Sequence, residues 1–342
     1  MQKAYLILEN GRIFEGESFG AAGTSCGELV FNTGMTGLAE SLTDPCNFGQ
    51  IVIYTFPEIG NYGIAGEDME SDKCVFSGVV ARNYTKNPSN FRCEISVDAY
   101  LKQQNVIGIC GVDTRELTQI LRDNGTMKAV ITTENPEAKY FDLKESAVSA
   151  VGSDAAYTAA AENEKYKVAV LNCGVRKSTV SKLNARGCTV TVLPYNTKAE
   201  DILSGGYDGV VLSEGPGDPA VNEGVIAEVK KLMGKVPMLG LGLGHQILAL
   251  AAGGNTVKLK FGHRGANQPV KDLESGRVLV TSQNHGYAVD TACIEKIGAK
   301  LEFVNVNDSS CEGLSYADIK AVSVQFEHAA AYDRFITMMG GK

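Results

Sequence analysis

The chain has 342 residues, 44% hydrophobic and 21% charged, and its 32 basic and 40 acidic side chains leave a net charge of −8. That length suits about two domains, each with its own core, and the ordinary apolar fraction excludes general disorder. The acidic balance excludes a dedicated nucleic-acid binder, which needs a basic face, and no segment reaches the roughly 18 apolar residues of a membrane-spanning helix.

The amino-terminal stretch reads as β structure. Strands expected at residues 4–8 and 12–15 flank Glu9-Asn10-Gly11, and Asn-Gly is a strong hairpin signal. Residues 28–31 and 50–54 read as further strands, with turn residues Gly34, Gly37 and Asp44-Pro45 between them. Residues 115–122 have helical spacing, with Thr114 as the expected N-cap. The pattern weakens from Pro136, and residues 151–164 are Ala-rich and polar with no strand character. The expected organisation is a first domain at 1–150, a linker at 151–165 and a second domain at 166–342.

Past the linker, strands and helices alternate. Apolar runs at 167–172, 188–193, 209–212 and 236–239 read as strands, and 178–186, 225–233 and 245–252 as helices. Alternation of this kind implies a parallel sheet covered by helices, with ligands beyond the carboxyl ends of the strands. Cys173-Gly174, the 213–219 loop and residues 240–246 then share one rim. Further β structure follows at 277–281 and 321–326, and a helix at 330–339 closes the chain. The expected class is α/β: a β-rich mixed α+β domain followed by a parallel-sheet domain.

Nine cysteines without a CxxC pair, behind an apolar start too short for a secretion signal, point to reduced thiols and a cytoplasmic setting. Four histidines spread from His245 to His328 argue against a zinc site.

Three rim segments carry possible chemistry. Gly240-Leu241-Gly242-Leu243-Gly244 lies between a strand and a helix. A nucleophile elbow has this form with Ser or Cys at its centre, but the centre here is Gly242, and a plain glycine-rich turn explains the spacing as well. A dinucleotide fingerprint fits poorly, because the pattern is not GxGxxG. Ser213-Glu214-Gly215-Pro216-Gly217-Asp218-Pro219 is a rigid loop able to aim amides at a ligand oxygen, or an ordinary strand-to-helix connection. Ser282-Gln283-Asn284-His285-Gly286-Tyr287 ends another strand and offers amide and imidazole groups, or forms a polar turn.

Together these residues resemble the small subunit of glutamine-dependent carbamoyl phosphate synthetase. The resemblance runs over nearly the whole chain. It includes Phe31-Asn32-Thr33, Leu42-Thr43-Asp44-Pro45 and Gly111-Val112-Asp113-Thr114-Arg115 in the first half. The second half adds Gly215-Pro216-Gly217-Asp218-Pro219, Leu243-Gly244-His245-Gln246, residues 261–267 and Ser282-Gln283-Asn284-His285-Gly286. The first half separates this family from other class I glutamine amidotransferases. The resemblance implies a carboxyl domain that hydrolyses glutamine through a cysteine and a histidine oriented by a glutamate. Ammonia would pass to a large subunit. That partner, not this chain, would hold ATP and Mg, so no cofactor or metal is expected here. Such chemistry needs a thiolate beside an imidazole and amides around the oxyanion.

This chain departs from the pattern where the chemistry lies. The nucleophile position falls on Gly242. The histidine position falls on Glu327 and the glutamate position on Ala329, and a short segment expected after them is missing. His328 is one place out of register. The resemblance also carries glutamine-binding positions onto Cys46, Gly215, Gly217, Leu243, Gln246, Asn284, Gly286 and Tyr287. Cys46 stands in place of a usual serine, Glu214 of asparagine, and Asn172-Cys173 of aspartate-phenylalanine. Three readings follow: a small subunit that has lost glutaminase chemistry; a working glutaminase using His328 after a one-residue slip; and a repurposed binding protein. Cys173 is the nearest substitute nucleophile by topology.

Overall fold

The computed structural model describes residues 2–140, 147–153 and 155–340. These divide into two compact units, 1–146 with 264–266, and 147–263 with 267–342.

The first unit contains strands β1 (Lys3–Leu8), β2 (Ile13–Gly20), β3 (Thr24–Asn32), β4 (Gln50–Tyr54) and β5 (Glu58–Ile59), with helix α1 (Leu38–Thr43) after β3. It continues through β6 (Gly78–Val80), β7 (Asn83–Tyr84), α2 (Val97–Gln103), β8 (Ile107–Cys110), α3 (Thr114–Asn124) and β9 (Met127–Thr132). Seven strands close into a barrel in the order β1-β2-β8-β6-β4-β3-β9. Period-2 alternation sends successive residues to opposite faces of its wall. Ile51 and Ile53 join one buried cluster, with Leu117 and Leu121 of α3, while Val52 and Tyr54 join another with Leu42 and Leu101. The Asn10-Gly11 turn joins β1 to β2 as expected. The cap of α3 is Asp113, not Thr114: its carboxylate accepts from the Glu116 amide at 2.9 Å. Asp is among the preferred N-cap residues, and its charge suits a helix start. The chain re-enters this unit at residues 264–266, where the Arg264 carbonyl accepts from the Thr33 amide and hydroxyl, each at 3.1 Å.

The second unit begins with α4 (Ala147–Val151), β10 (Tyr157–Ala159), β11 (Tyr166–Asn172), α5 (Lys177–Asn184), β12 (Cys188–Pro194), α6 (Ala199–Ser204) and β13 (Gly209–Leu212). Next come α7 (Glu223–Leu232), β14 (Met238–Leu241), α8 (Leu243–Ala251), β15 (Thr256–Asp272) and β16 (Val278–Val289). The unit closes with β17 (Lys300–Asn305), β18 (Cys311–Tyr316), β19 (Ala321–Val324) and α9 (Ala329–Gly340). Among the described residues the strands form one sheet, ordered β10-β12-β11-β13-β14-β19-β18-β17-β15-β16. Its centre, from β12 to β19, is parallel. Val168 and Val170 face the layer of α5 and α9, while Ala169 and Leu171 face that of α6, α7 and α8. The expected linker 151–165 needs correction, because residues 157–159 pair antiparallel with β12 as an edge strand. That strand is short and largely exposed, so it leaves no apolar pattern to read. Ser282 to Tyr287 also lie within β16 rather than at a strand end.

Chain order reverses at β11, which sits between β12 and β13, and this opens a crevice beyond the strand ends. The closest approach there is α8 on β13. A Cβ on Gly244 would lie 2.1 Å from the Leu212 carbonyl oxygen. Gly244→Ala is therefore expected to cost about 3 kcal/mol or more by overpacking. Gly224→Ala, on open space in α7, should be neutral or stabilising by up to about 1 kcal/mol. Urea unfolding of both variants checks the contrast.

Candidate functional site

The rim is built from the ends of β11, β13, β14 and β19. Asn172 Oδ1 accepts from the amides of Gly174 and Val175 at 3.1 and 3.0 Å, which fixes the turn after β11. Ser213 Oγ accepts from the Cys173 amide at 2.9 Å and donates to the Glu214 carbonyl at 2.8 Å, which joins that turn to the next loop. Gly215 packs so tightly that a Cβ would lie 2.3 Å from the Cys173 carbonyl oxygen, and Gly217 has φ +87°. Both positions require glycine for backbone reasons alone.

Gly242 lies at the start of α8 with φ 53° and ψ −111°, a conformation outside the regions open to ordinary L-residues. Its amide donates to the Val324 carbonyl at 3.0 Å. A Cβ there would meet Glu214 at 3.5–3.6 Å, an ordinary contact. The elbow backbone is thus formed, with room for a side chain that the chain does not supply.

The surroundings are acidic where a thiolate would need a cation. Glu214 is buried, and its Oε1 accepts from Thr179 Oγ1 at 2.8 Å. Tyr332 of α9 is buried beside it; burial raises its phenol pKa, reinforced by the charges of Glu214 and Glu327. Glu327 pairs with Lys182 of α5. Ala329 begins α9 directly, so the helix occupies the place of the missing segment. His328 stacks edge-on against Phe303 and Phe326, with ring centroids 5.2 and 5.5 Å away, and burial lowers its pKa despite Asp272 and Asp333. Cys173 is buried, and burial pushes its thiol up to about 12. It stays protonated at neutral pH and is no substitute nucleophile.

The expected glutamine positions divide between the units. Cys46 belongs to the first, in a turn where its amide donates to Asp44 at 3.0 Å. The others belong to the second. Leu243 is the buried first residue of α8. Gln246 Nε2 donates to the Tyr287 carbonyl at 2.7 Å and to Gln325 Oε1 at 2.8 Å. Asn284, Gly286 and Tyr287 follow one another along β16 and are partly exposed.

Among the described residues the second unit also holds two buried histidine groups. His245 Nδ1 is 2.7 Å from Ser323 Oγ, and its Nε2 is 4.0 Å from Cys311 Sγ. Burial drives this imidazole down to about 3 and the thiol up to about 12, so the pair is neutral and unactivated. His263, His285 and Glu312 form the second group. Burial opposes a charge on His263, but hydrogen bonds to Asp308 and Glu312 outweigh it and raise its pKa to about 9. Sequence reasoning missed the Glu214–Thr179–Tyr332 cluster, the Lys182–Glu327 pair and both histidine groups. The only advance signal was Glu214 in place of asparagine.

The geometry defines an amidotransferase-type sheet with an elbow on its rim, and the comparisons agree. Residues 169–328 match the family model for glutamine amidotransferase class-I, and residues 6–131 match that for the carbamoyl-phosphate synthase small chain, CPSase domain. The carbamoyl phosphate synthase small chain of Clostridium perfringens is 47% identical, over 96% of this chain and 94% of that one. That of Listeria monocytogenes is 42% identical, over 100% and 98%. The pyrimidine-specific small chain of Bacillus subtilis is 41% identical, over 98% and 96%. The chain belongs to the family of carbamoyl phosphate synthase small chains.

Proposed function

We propose that this chain serves as a small subunit that docks on a carbamoyl phosphate synthase large subunit without hydrolysing glutamine. One observation carries the reading: the elbow at Gly242 keeps its backbone but has no nucleophile, and the residue at the expected base position, Glu327, is tied to Lys182. Removing the nucleophile from a triad costs about a million-fold in turnover. Ammonia then comes from solution, ATP and Mg stay with the large subunit, and the rim keeps its glycine-built loops without the chemistry.

The intact first unit supports the docking role. A cleft of about 250 Å³ is lined by Tyr54, Phe56, Ile59 and Tyr62, and Met35 at its mouth is 71% exposed. Co-purification with a large subunit tests the assignment. We expect a stable complex that uses ammonium and not glutamine, and at least tenfold weaker association for Met35→Glu. No association at micromolar concentration would remove the docking half of the proposal; ammonia release from glutamine would remove the other half.

A further inference from the structure

We propose that His263, His285, Glu312 and Gln283 form a zinc site that ties together β15, β16 and β18.

The hydrogen-bond pattern fixes which atoms face the centre. His285 Nδ1 donates to the Tyr287 carbonyl at 2.8 Å, so the neutral ring turns the lone pair of Nε2 inward. His263 Nε2 contacts Asp308 Oδ2 at 3.0 Å, which leaves Nδ1 inward. Asn305 Oδ1 accepts from the Asn307 amide at 2.9 Å, so its Nδ2 is the face 3.3 Å from His263 Nδ1, where a bound metal would take the place of the ring's second proton. Gln283 Nε2 donates to Glu312 Oε2 at 3.1 Å, so its Oε1 is the atom 3.2 Å from His285 Nε2. The inward atoms of His263, His285 and Glu312 all lie within 4.8 Å of one another, and Asn305 Nδ2 donates to Glu312 Oε1 at 3.1 Å. A cation at their centre would meet two imidazole lone pairs and a carboxylate.

Spacing favours a metal ion over an added proton. A charge-assisted imidazolium–carboxylate bond closes to about 2.7–2.9 Å. Here Glu312 Oε1 stands 3.1 Å from His263 Nδ1, its Oε2 stands 3.8 Å from His285 Nε2, and the two facing ring nitrogens are 3.3 Å apart. Zinc bonds of about 2.0–2.2 Å at a tetrahedral centre separate ligand atoms by about 3.3–3.5 Å. The outer nitrogens meet a carboxylate and a backbone carbonyl, the partners that orient metal-bound histidines. The donor set of two imidazoles and two oxygens suits zinc. The count of four histidines argued against such a site only because sequence separation hides that two of them meet. The site would be structural, with all four positions filled by protein, and would hold the strand that carries Asn284, Gly286 and Tyr287.

The test uses the untagged full chain, loaded with zinc and dialysed against metal-free buffer, with bound metal measured by mass spectrometry. We expect about one zinc retained per chain, a raised melting temperature, and visible bands of tetrahedral cobalt after cobalt loading. His263→Gln and Glu312→Gln should cut retained metal at least tenfold while circular dichroism reports a folded chain. Should both fail to fold, Asp308→Asn decides, since that side chain is partly exposed and acts through His263: about tenfold weaker metal binding supports the site, and unchanged binding overturns it. A folded wild-type chain that retains no metal also overturns it and leaves a shared proton at the centre.

Discussion

Gly242→Cys is expected to leave ammonia release from glutamine at background, about a million-fold below a competent amidotransferase. The thiol would fit, since a Cβ at this position meets nothing closer than 3.5 Å. It would not ionise. The neighbouring side chains are Glu214 and, on the same rim, Glu327, and negative charge raises a thiol pKa. Replacing glycine at φ 53° should also cost about 1–3 kcal/mol of stability, measurable by urea unfolding. Combining it with Glu327→His, Ala329→Glu and Glu214→Asn supplies a base, its orienting carboxylate and a neutral neighbour. General base catalysis contributes about 10²–10⁴-fold, so the combined variant should exceed Gly242→Cys by at least a hundredfold. Equal rates would show that these positions do not govern the chemistry, and a wild-type chain that hydrolyses glutamine would end the loss-of-function reading.

Acid should unfold the chain from below about pH 6, with His245 a major cause. In the unfolded chain this imidazole binds a proton near its ordinary pKa of about 6.5. In the folded chain burial lowers that value to about 3. Above pH 6.5 both forms are neutral, and the full stability is present. Between about 6.5 and 3 the unfolded chain binds more protons, so stability falls with pH. The loss attributable to this residue is about 2 kcal/mol at pH 5 and about 4 kcal/mol at pH 3. His245→Asn keeps a polar group toward Ser323 without the titration. Its stability profile from denaturant unfolding should be flatter across this range by those amounts. Parallel profiles for the two proteins would mean that the imidazole is solvated or protonated in the folded state.

Much of the framework was legible because burial writes itself into spacing. Residues 50–54 and 209–212 read as strands at their observed bounds, since each is a short apolar run closed by turn residues. The rim was legible from Gly215 and Gly217, where the backbone demands glycine, and from the glycine spacing around Gly242, whose φ is positive. Polar partnerships across the sheet were not. His263 meets Glu312, 49 positions away, and His245 meets Ser323, 78 away. No local pattern marks such pairs, because their cause is the order of strands. Edge strand β10 escaped for the opposite reason: backbone pairing holds it with little help from its side chains.

The return of residues 264–266 to the first unit bears on how the chain is made. A ribosome releasing the chain from its amino terminus delivers the barrel strands early, yet the carbonyl that receives the Thr33 amide and hydroxyl arrives about 120 residues later. At about 5–20 residues per second that interval is roughly 6–24 s. Until then the barrel lacks that hydrogen-bond partner, and the order of synthesis makes completion of the first unit depend on the unit that follows it.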